Sequence, residues 1–180
     1  MKLSDKNIIQ GCKKGKPTAQ RQLYEKYKTM LFGVCLRYAR NRAEAEDFLQ
    51  EGFIRIYRDL YQYQPQKALG AWLRKVMVNS CLRQIQKNKN IFQEIDWNQI
   101  TLSYEIEFVE EDNGREEQMI KMIQQLPPGY RAVFNMYVIE GYTHQEIASY
   151  LEISVNTSKS QLSRAKKLLK KIFEKKMNTC

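Results

Sequence analysis

The sequence predicts an all-α protein of two small helical domains joined by an acidic linker, and three observations carry that prediction. Apolar residues recur at three- and four-residue steps along most of the chain, and no stretch alternates as a strand would. Charge divides the chain into three: residues 1–89 hold 19 Lys and Arg against 7 Asp and Glu, residues 90–114 hold 7 acids and no base, and residues 115–180 hold 11 bases against 6 acids. Helical periodicity fails in that same middle stretch, which therefore reads as an extended tether between a domain at 1–89 and another at 115–180.

The elements follow in order. After Gly15 and Pro17, the residues Leu23, Tyr27, Met30, Leu31, Val34 and Tyr38 share one helical stripe, which ends near Arg40. Asn41 can cap the next helix, whose inward positions are Ala45, Phe48, Leu49, Phe53, Ile56 and Leu60. Pro65 and Gly70 mark a loop, and a third helix follows with Trp72, Leu73, Val76 and Ser80 on one face. These three helices make the first domain. Beyond the tether, a helix from Arg115 to Gln125, the break Leu126-Pro127-Pro128-Gly129, and a helix through Val138 that stops at Gly141 open the second.

The segment from Thr143 to Lys176 has the layout of a helix-turn-helix ending in a very basic helix. Thr143 and Glu146, three residues apart, form a capping box before the core positions Ile147, Ala148 and Leu151. Ile153 sits in a tight turn, and Ser154 can cap a second helix with Val155, Leu162, Ala165, Leu169 and Ile172 inward. The outward face is then expected to carry Asn156, Thr157, Ser158 and Ser160, followed by Lys159, Gln161, Arg164, Lys166 and Lys167. Small polar groups followed by cations suit base edges and phosphates in a major groove. A solvated basic helix of a bundle is the plainer reading. The capped short helix, tight turn and polar-then-basic order occurring together favour DNA.

The net charge of +10 and pI near 9.4 suit any polyanion, an acidic membrane surface included. Cys12, Cys35, Cys81 and Cys180 are scattered without a C-x-x-C pair, and the lone His144 completes no metal-ligand cluster, so no metal or other cofactor is expected. The first residues lack the apolar run of a signal peptide and no stretch is long and apolar enough for a membrane span, which points to a cytoplasmic protein with reduced thiols. No paired carboxylates or Cys–His arrangement suggests catalysis, and no small-molecule substrate is expected.

Within EDFLQEGFIRIYRDL, the stretch starting at Glu46 of the helix that Asn41 can cap, Asp47 and Glu51 lie four residues apart with Gln50 beside them. Like charges at that spacing cost a few tenths of a kcal/mol in an isolated helix, although Arg55 can pair with Glu51. In a chain that is basic elsewhere, such a face is either ordinary solvated surface or a dock for a basic partner helix.

The order DFLQEGFIRIY from Asp47, AWLRKVMVN from Ala71, LPPGYRAVFNMYVIEGYTHQEIA from Leu126 and SKSQLSRAK from Ser158 resembles the extracytoplasmic-function sigma factors, the two-domain class of bacterial sigma factors, over essentially the whole chain. The resemblance implies sigma region two at 1–89, the acidic linker at 90–114 and region four at 115–180. It implies a regulator that is not an enzyme, with core RNA polymerase, promoter DNA in duplex and single-stranded form, and an anti-sigma factor as partners. Asp47, Gln50, Glu51 and Arg55 match the face that docks on polymerase. Tyr61 to Gly70 match the loop that captures a minus-ten base, and Asn79 a neighbouring polar position. Tyr61, Tyr63, Gln64, Trp72, Arg74, Lys75 and Asn79 supply the residue types for base capture, although Trp72 at its spacing reads first as core. Lys159, Ser160, Gln161, Ser163 and Arg164 match the minus-thirty-five reading positions, with Asn156, Thr157 and Lys167 beside them. The linker acids are expected to thread a basic RNA path. Ala71-Trp72 stands where housekeeping relatives have two tryptophans, which implies weaker melting and higher promoter stringency. The competing class is a free-standing helix-turn-helix regulator, for which the acidic face at Asp47 and Glu51 would have no use.

Overall fold

The computed structural model describes residues 4–87 and 114–177, and every described element is helical. The expected acidic linker lies outside these residues, Gly114 excepted. The chain divides into two units, Met1–Gln84 and Ile85–Cys180.

The first unit opens with a helix that the sequence reading leaves unassigned, α1 (Asp5–Lys13). Only Ile8, Ile9 and Cys12 of it are buried, too few to stand out as a stripe. The Asp5 carboxylate holds it to α2 (Pro17–Tyr38), accepting from Lys26 Nζ at 2.6 Å and from Tyr27 Oη at 3.0 Å. Burial first, and then Asp5, push the Tyr27 hydroxyl up to about 12. Along α2, Leu23, Leu31, Val34 and Tyr38 are buried as expected, whereas Met30 is 43% exposed at the edge of the stripe.

Helix α3 (Arg42–Asp59) starts as the sequence predicts, with Asn41 Oδ1 accepting from the Glu44 N–H at 2.9 Å. All six expected inward positions are buried, from Ala45 to Leu60. A 3₁₀ turn (Leu60–Gln62) leads through a loop to α4 (Leu69–Gln86). Gly70 therefore lies in the first turn of α4 and not in the loop before it; buried Leu69 anchors that turn and outweighs the ~1 kcal/mol propensity cost of glycine. Leu73 and Ser80 are buried as expected, but Trp72 and Val76 are only half-buried. The core stripe of α4 is Leu69, Leu73, Met77 and Cys81, a four-residue step that the Trp72 reading displaces by part of a turn.

In the second unit, α5 (Arg115–Gln124) is followed by α6 (Pro128–Phe134). Pro128 starts that helix, because a first-turn proline lacks only an N–H the helix could not use. The helix runs on as a π turn (Asn135–Ile139), and Gly141 then takes φ +77, a left-handed turn that any side chain would strain. Arg131 is 2% exposed and donates from Nη1 to the Gln124 carbonyl at 2.8 Å, placing a cation at the C-terminus of α5.

Helix α7 (His144–Leu151) carries the expected capping box: Thr143 N–H donates to Glu146 Oε2 at 2.8 Å, and Glu146 N–H to Thr143 Oγ1 at 3.2 Å. The bonds that Thr143 donates to the Glu146 carboxylate, from its N–H and its hydroxyl, hold that carboxyl below its usual range. Ser154 Oγ accepts from the Thr157 N–H at 2.9 Å and starts α8 (Val155–Met177). Leu126, Tyr130, Ala165, Leu168 and Ile172 form one core cluster, with Met122, Phe134 and Leu169 against it.

The structure corrects the face of α8. Ser158 is fully buried and Gln161 is 4% exposed, so neither faces outward as expected. The inner stripe steps through Ser158, Gln161, Leu162, Ala165, Leu168 and Ile172. Two polar residues occupy apolar positions, and residue polarity alone therefore assigned them to the wrong side.

Candidate polymerase and nucleic-acid interfaces

Three surfaces are built on these helices. The first is the outward face of α3. Asp47 and Gln50 are exposed, Glu51 is half-buried, and Arg55 Nη2 lies 3.1 Å from Glu51 Oε1, one helical turn apart. That pair leaves Asp47 as uncompensated negative charge one turn before Glu51. Ile54 projects from the same face at 61% exposure, an apolar element that a search for acids passes over but that its spacing from Gln50 and Glu51 could have indicated. Ile54 has Gln50 and Glu51 one turn before it and Arg58 one turn after, so the face offers both charge and apolar area to a partner.

The second surface is a groove of about 730 Å³ between the end of α3, the following loop and α4. From the expected set, Gln64, Trp72, Lys75 and Asn79 line it, as does Arg55. Lys67, from the expected Tyr61–Gly70 loop, lines it too, as do Arg58 and Arg83, which the sequence analysis does not place there, although Arg83 continues the four-residue step from Lys75 and Asn79. Its one carboxylate, Asp59, is held bidentate by Arg58, with contacts of 2.8 and 3.1 Å that keep its carboxyl below the usual range. Most of the acid's field is thus cancelled locally and the groove stays basic.

Tyr63 does not face this groove as an open stacking platform. It is 8% exposed, its hydroxyl donates to the Lys67 carbonyl at 2.6 Å, and its ring meets Trp72 edge-on at 5.6 Å. Its aromatic surface is spent on shaping the loop. Tyr61, by contrast, is 71% exposed. Arg74, half-buried on α4, does not line the groove.

The third surface belongs to α8. Asn156, Lys159, Ser160, Ser163 and Lys167 are exposed and Thr157 and Arg164 are half-buried. Lys159, Ser163 and Lys167 follow a four-residue ladder, with Asn156, Ser160 and Arg164 alongside. Thr157 also works locally, since its hydroxyl lies 2.8 Å from Ser154 Oγ. Gln161 is absent from this face, and its Oε1 is buried without a hydrogen-bond partner.

Comparison with known proteins joins the surfaces. Residues 23–91 match the Sigma-70 region 2 family and residues 116–169 match Sigma-70 region 4. The chain is 26% identical to the ECF RNA polymerase sigma factor SigW of Bacillus subtilis, over 95% of this chain and 97% of that one. It belongs to the extracytoplasmic-function family of RNA polymerase sigma factors. The RNA polymerase sigma-H factor of Pseudomonas aeruginosa is 24% identical over 94% of both chains. Among solved structures, the sigma factor RpoE of Bartonella quintana, crystallised with the anti-sigma factor NepR, shares the fold at 18% identity and TM-score 0.50, over 86% of this chain and 96% of that one. As an ECF sigma factor the chain directs RNA polymerase to promoters and is a regulator, not an enzyme. Among the described residues, no helix is long and apolar enough to cross a membrane.

Proposed function

We propose that the three surfaces divide the work of initiation. The outward face of α3, with Asp47, Gln50 and Glu51, docks on core polymerase, and Arg55 orients Glu51 for that contact. The basic groove of the first unit takes one strand of the minus-ten element, with Asn79 and Gln64 reading an unpaired base and Lys75, Lys67 and Arg83 following the phosphates. The outward face of α8 enters the major groove at the minus-thirty-five element through Lys159, Ser160, Ser163 and Arg164, with Asn156, Thr157 and Lys167 at its margins. An anti-sigma factor, as crystallised with the Bartonella quintana relative, is the expected antagonist.

The observation that carries this reading is the pairing of an acidic α3 face with two separate basic surfaces. A free-standing regulator needs the basic surfaces and has no use for the acidic one. The two therefore differ in their dependence on polymerase. Gel shifts on promoter fragments should show little specific binding by the sigma factor alone and strong specific binding once core is added. Tight specific binding without core, weakening steeply with salt, would favour the free-standing regulator.

Readout on α8 is testable by position. A well-placed bidentate base contact is worth about 1–3 kcal/mol of discrimination. Arg164→Ala should change which minus-thirty-five sequences are used in a promoter library. Lys170→Ala with Lys171→Ala, farther along the helix, should lower transcription evenly over all promoters. An unchanged sequence preference for Arg164→Ala would remove that residue from the reading surface.

A further inference from the structure

The single histidine of the sequence stands where α7 meets α8, and none of the surfaces assigned so far uses it. Its ring is fixed from two sides. Tyr137, on the π turn, stacks on it with centroids 4.5 Å apart and planes at 24°. Its Nδ1 lies 2.9 Å from the hydroxyl of Ser158, the fully buried serine of the inner α8 stripe. Ser158 thus has a reason to be polar in an apolar position: it orients the imidazole and leaves Nε2 as the nitrogen available to a ligand.

Beside the ring is an open groove of about 520 Å³, with Tyr137, Thr143, His144, Gln145 and Lys159 among its walls and no carboxylate in its lining. A second cation is near, since Lys166 Nζ lies 5.9 Å from the Tyr137 ring centre. The nearest acid on α7, Glu146, is occupied by its cap bonds to Thr143. Burial first, then Lys159 and Lys166, hold the imidazole below its usual value, so it is neutral in the free protein at neutral pH.

We propose that this groove holds a backbone phosphate of duplex DNA and that His144 takes up a proton as the phosphate seats. The negative phosphate opposes the burial and the lysine field that together keep the ring neutral. The proton comes from solvent; Nδ1–H then donates to Ser158 Oγ and Nε2–H to a phosphate oxygen. The free site carries the charge of Lys159, and His144 adds a further positive charge only when an anion arrives. This proposal rests on the reading of α8 as a duplex-binding helix and adds a proton to that binding.

The sign is fixed by linkage. A group whose pKa is higher in the complex than in the free protein makes binding tighten as pH falls through the complex value, and the gain stops below the free value. Because the chain has one histidine, its ring Cε1–H resonance reports on this group alone. The NMR titration is run from pH 5 to 8 on the full chain, free, with excess duplex at low salt, where phosphate contacts form without core or sequence specificity, and with inorganic phosphate. With duplex the midpoint should rise by about one pH unit, a tenfold linkage, and inorganic phosphate alone should leave it in place. Holoenzyme with His144→Asn, which retains a hydrogen-bonding group toward Ser158, should then lose the pH-dependent part of promoter affinity between pH 8 and 6 and keep the rest. An unmoved midpoint while α8 resonances shift with DNA would overturn the proton uptake and leave the DNA reading standing. An equal rise with inorganic phosphate would overturn the assignment to DNA. Absence of any DNA-dependent change on α8, with core present or absent, would remove both.

Discussion

Glu51→Lys is expected to lower affinity for core polymerase by about thirtyfold or more, while circular dichroism stays close to wild type and Tm falls by only a few degrees. Truncating one member of a charge pair that becomes buried on binding costs roughly 2–5 kcal/mol, and each 1.4 kcal/mol is about tenfold. Within the free protein the same change replaces a half-buried i,i+4 ion pair with Arg55 by a like-charge pair, a cost of about 1 kcal/mol. Binding and folding should therefore separate cleanly. Asp47→Lys combined with Gln50→Ala should act in the same direction, and the loss should shrink at high salt because exposed charges are screened. Arg164→Ala, on the other unit, serves as the control that leaves core affinity unchanged. Undiminished co-purification of both α3 variants with core would remove α3 as the dock and place core binding on another face.

Ile54 adds a second test of the same face. If the interface has an apolar centre, Ile54→Ala should weaken core binding without altering its salt dependence, because it removes area and no charge. The electrostatic and apolar contributions can then be read separately.

The sequence shows the helical frame clearly wherever one residue type does one job. Along α3 the apolar positions are all Ala, Phe, Leu or Ile, and each expected inward residue is buried. The cap of Asn41 and the capping box of Thr143 and Glu146 were legible for a similar reason, since each satisfies backbone donors within a few residues. Legibility fails where a side chain does something its type does not suggest. Ser158 and Gln161 look like groove readers but sit inside, one holding His144 and the other with a buried amide. Tyr63 looks like a stacking platform and closes its own loop. The groove of the first unit is half legible: Gln64, Lys75, Asn79 and the loop that holds Lys67 are in view, whereas Arg58 and Arg83 require the end of α3 and α4 to be placed in space. Met77 was missed because the stripe on α4 was anchored on Trp72, one residue ahead of the true core position Leu73.

Met77 matters because of what it faces. Gly52 lies on the buried side of α3, and a Cβ added there would sit 2.2 Å from Met77 Sδ and 2.5 Å from its Cε. A glycine inside a helix normally costs about 1 kcal/mol relative to alanine, so its use here is explained by the Met77 side chain packed against it and not by helix propensity. Gly52→Ala returns that propensity and adds one carbon against a flexible thioether, two effects of opposite sign and similar size. Gly52→Val gains less propensity and adds three carbons to a site where Met77 is fully buried and has little room to turn. Overpacking of this kind costs about 2–3 kcal/mol, which for a domain of this size lowers Tm by roughly ten degrees or more. The clash is specific to one neighbour, so the double variant Gly52→Val with Met77→Ala should be more stable than the sum of the two single losses, by about 1–2 kcal/mol. Urea unfolding of the full chain, with the four variants compared at constant m-value, measures that coupling. Additive losses would mean that the helices are not held together at this point, and the spacing between the α3 dock and the groove walled by α4 would need another cause.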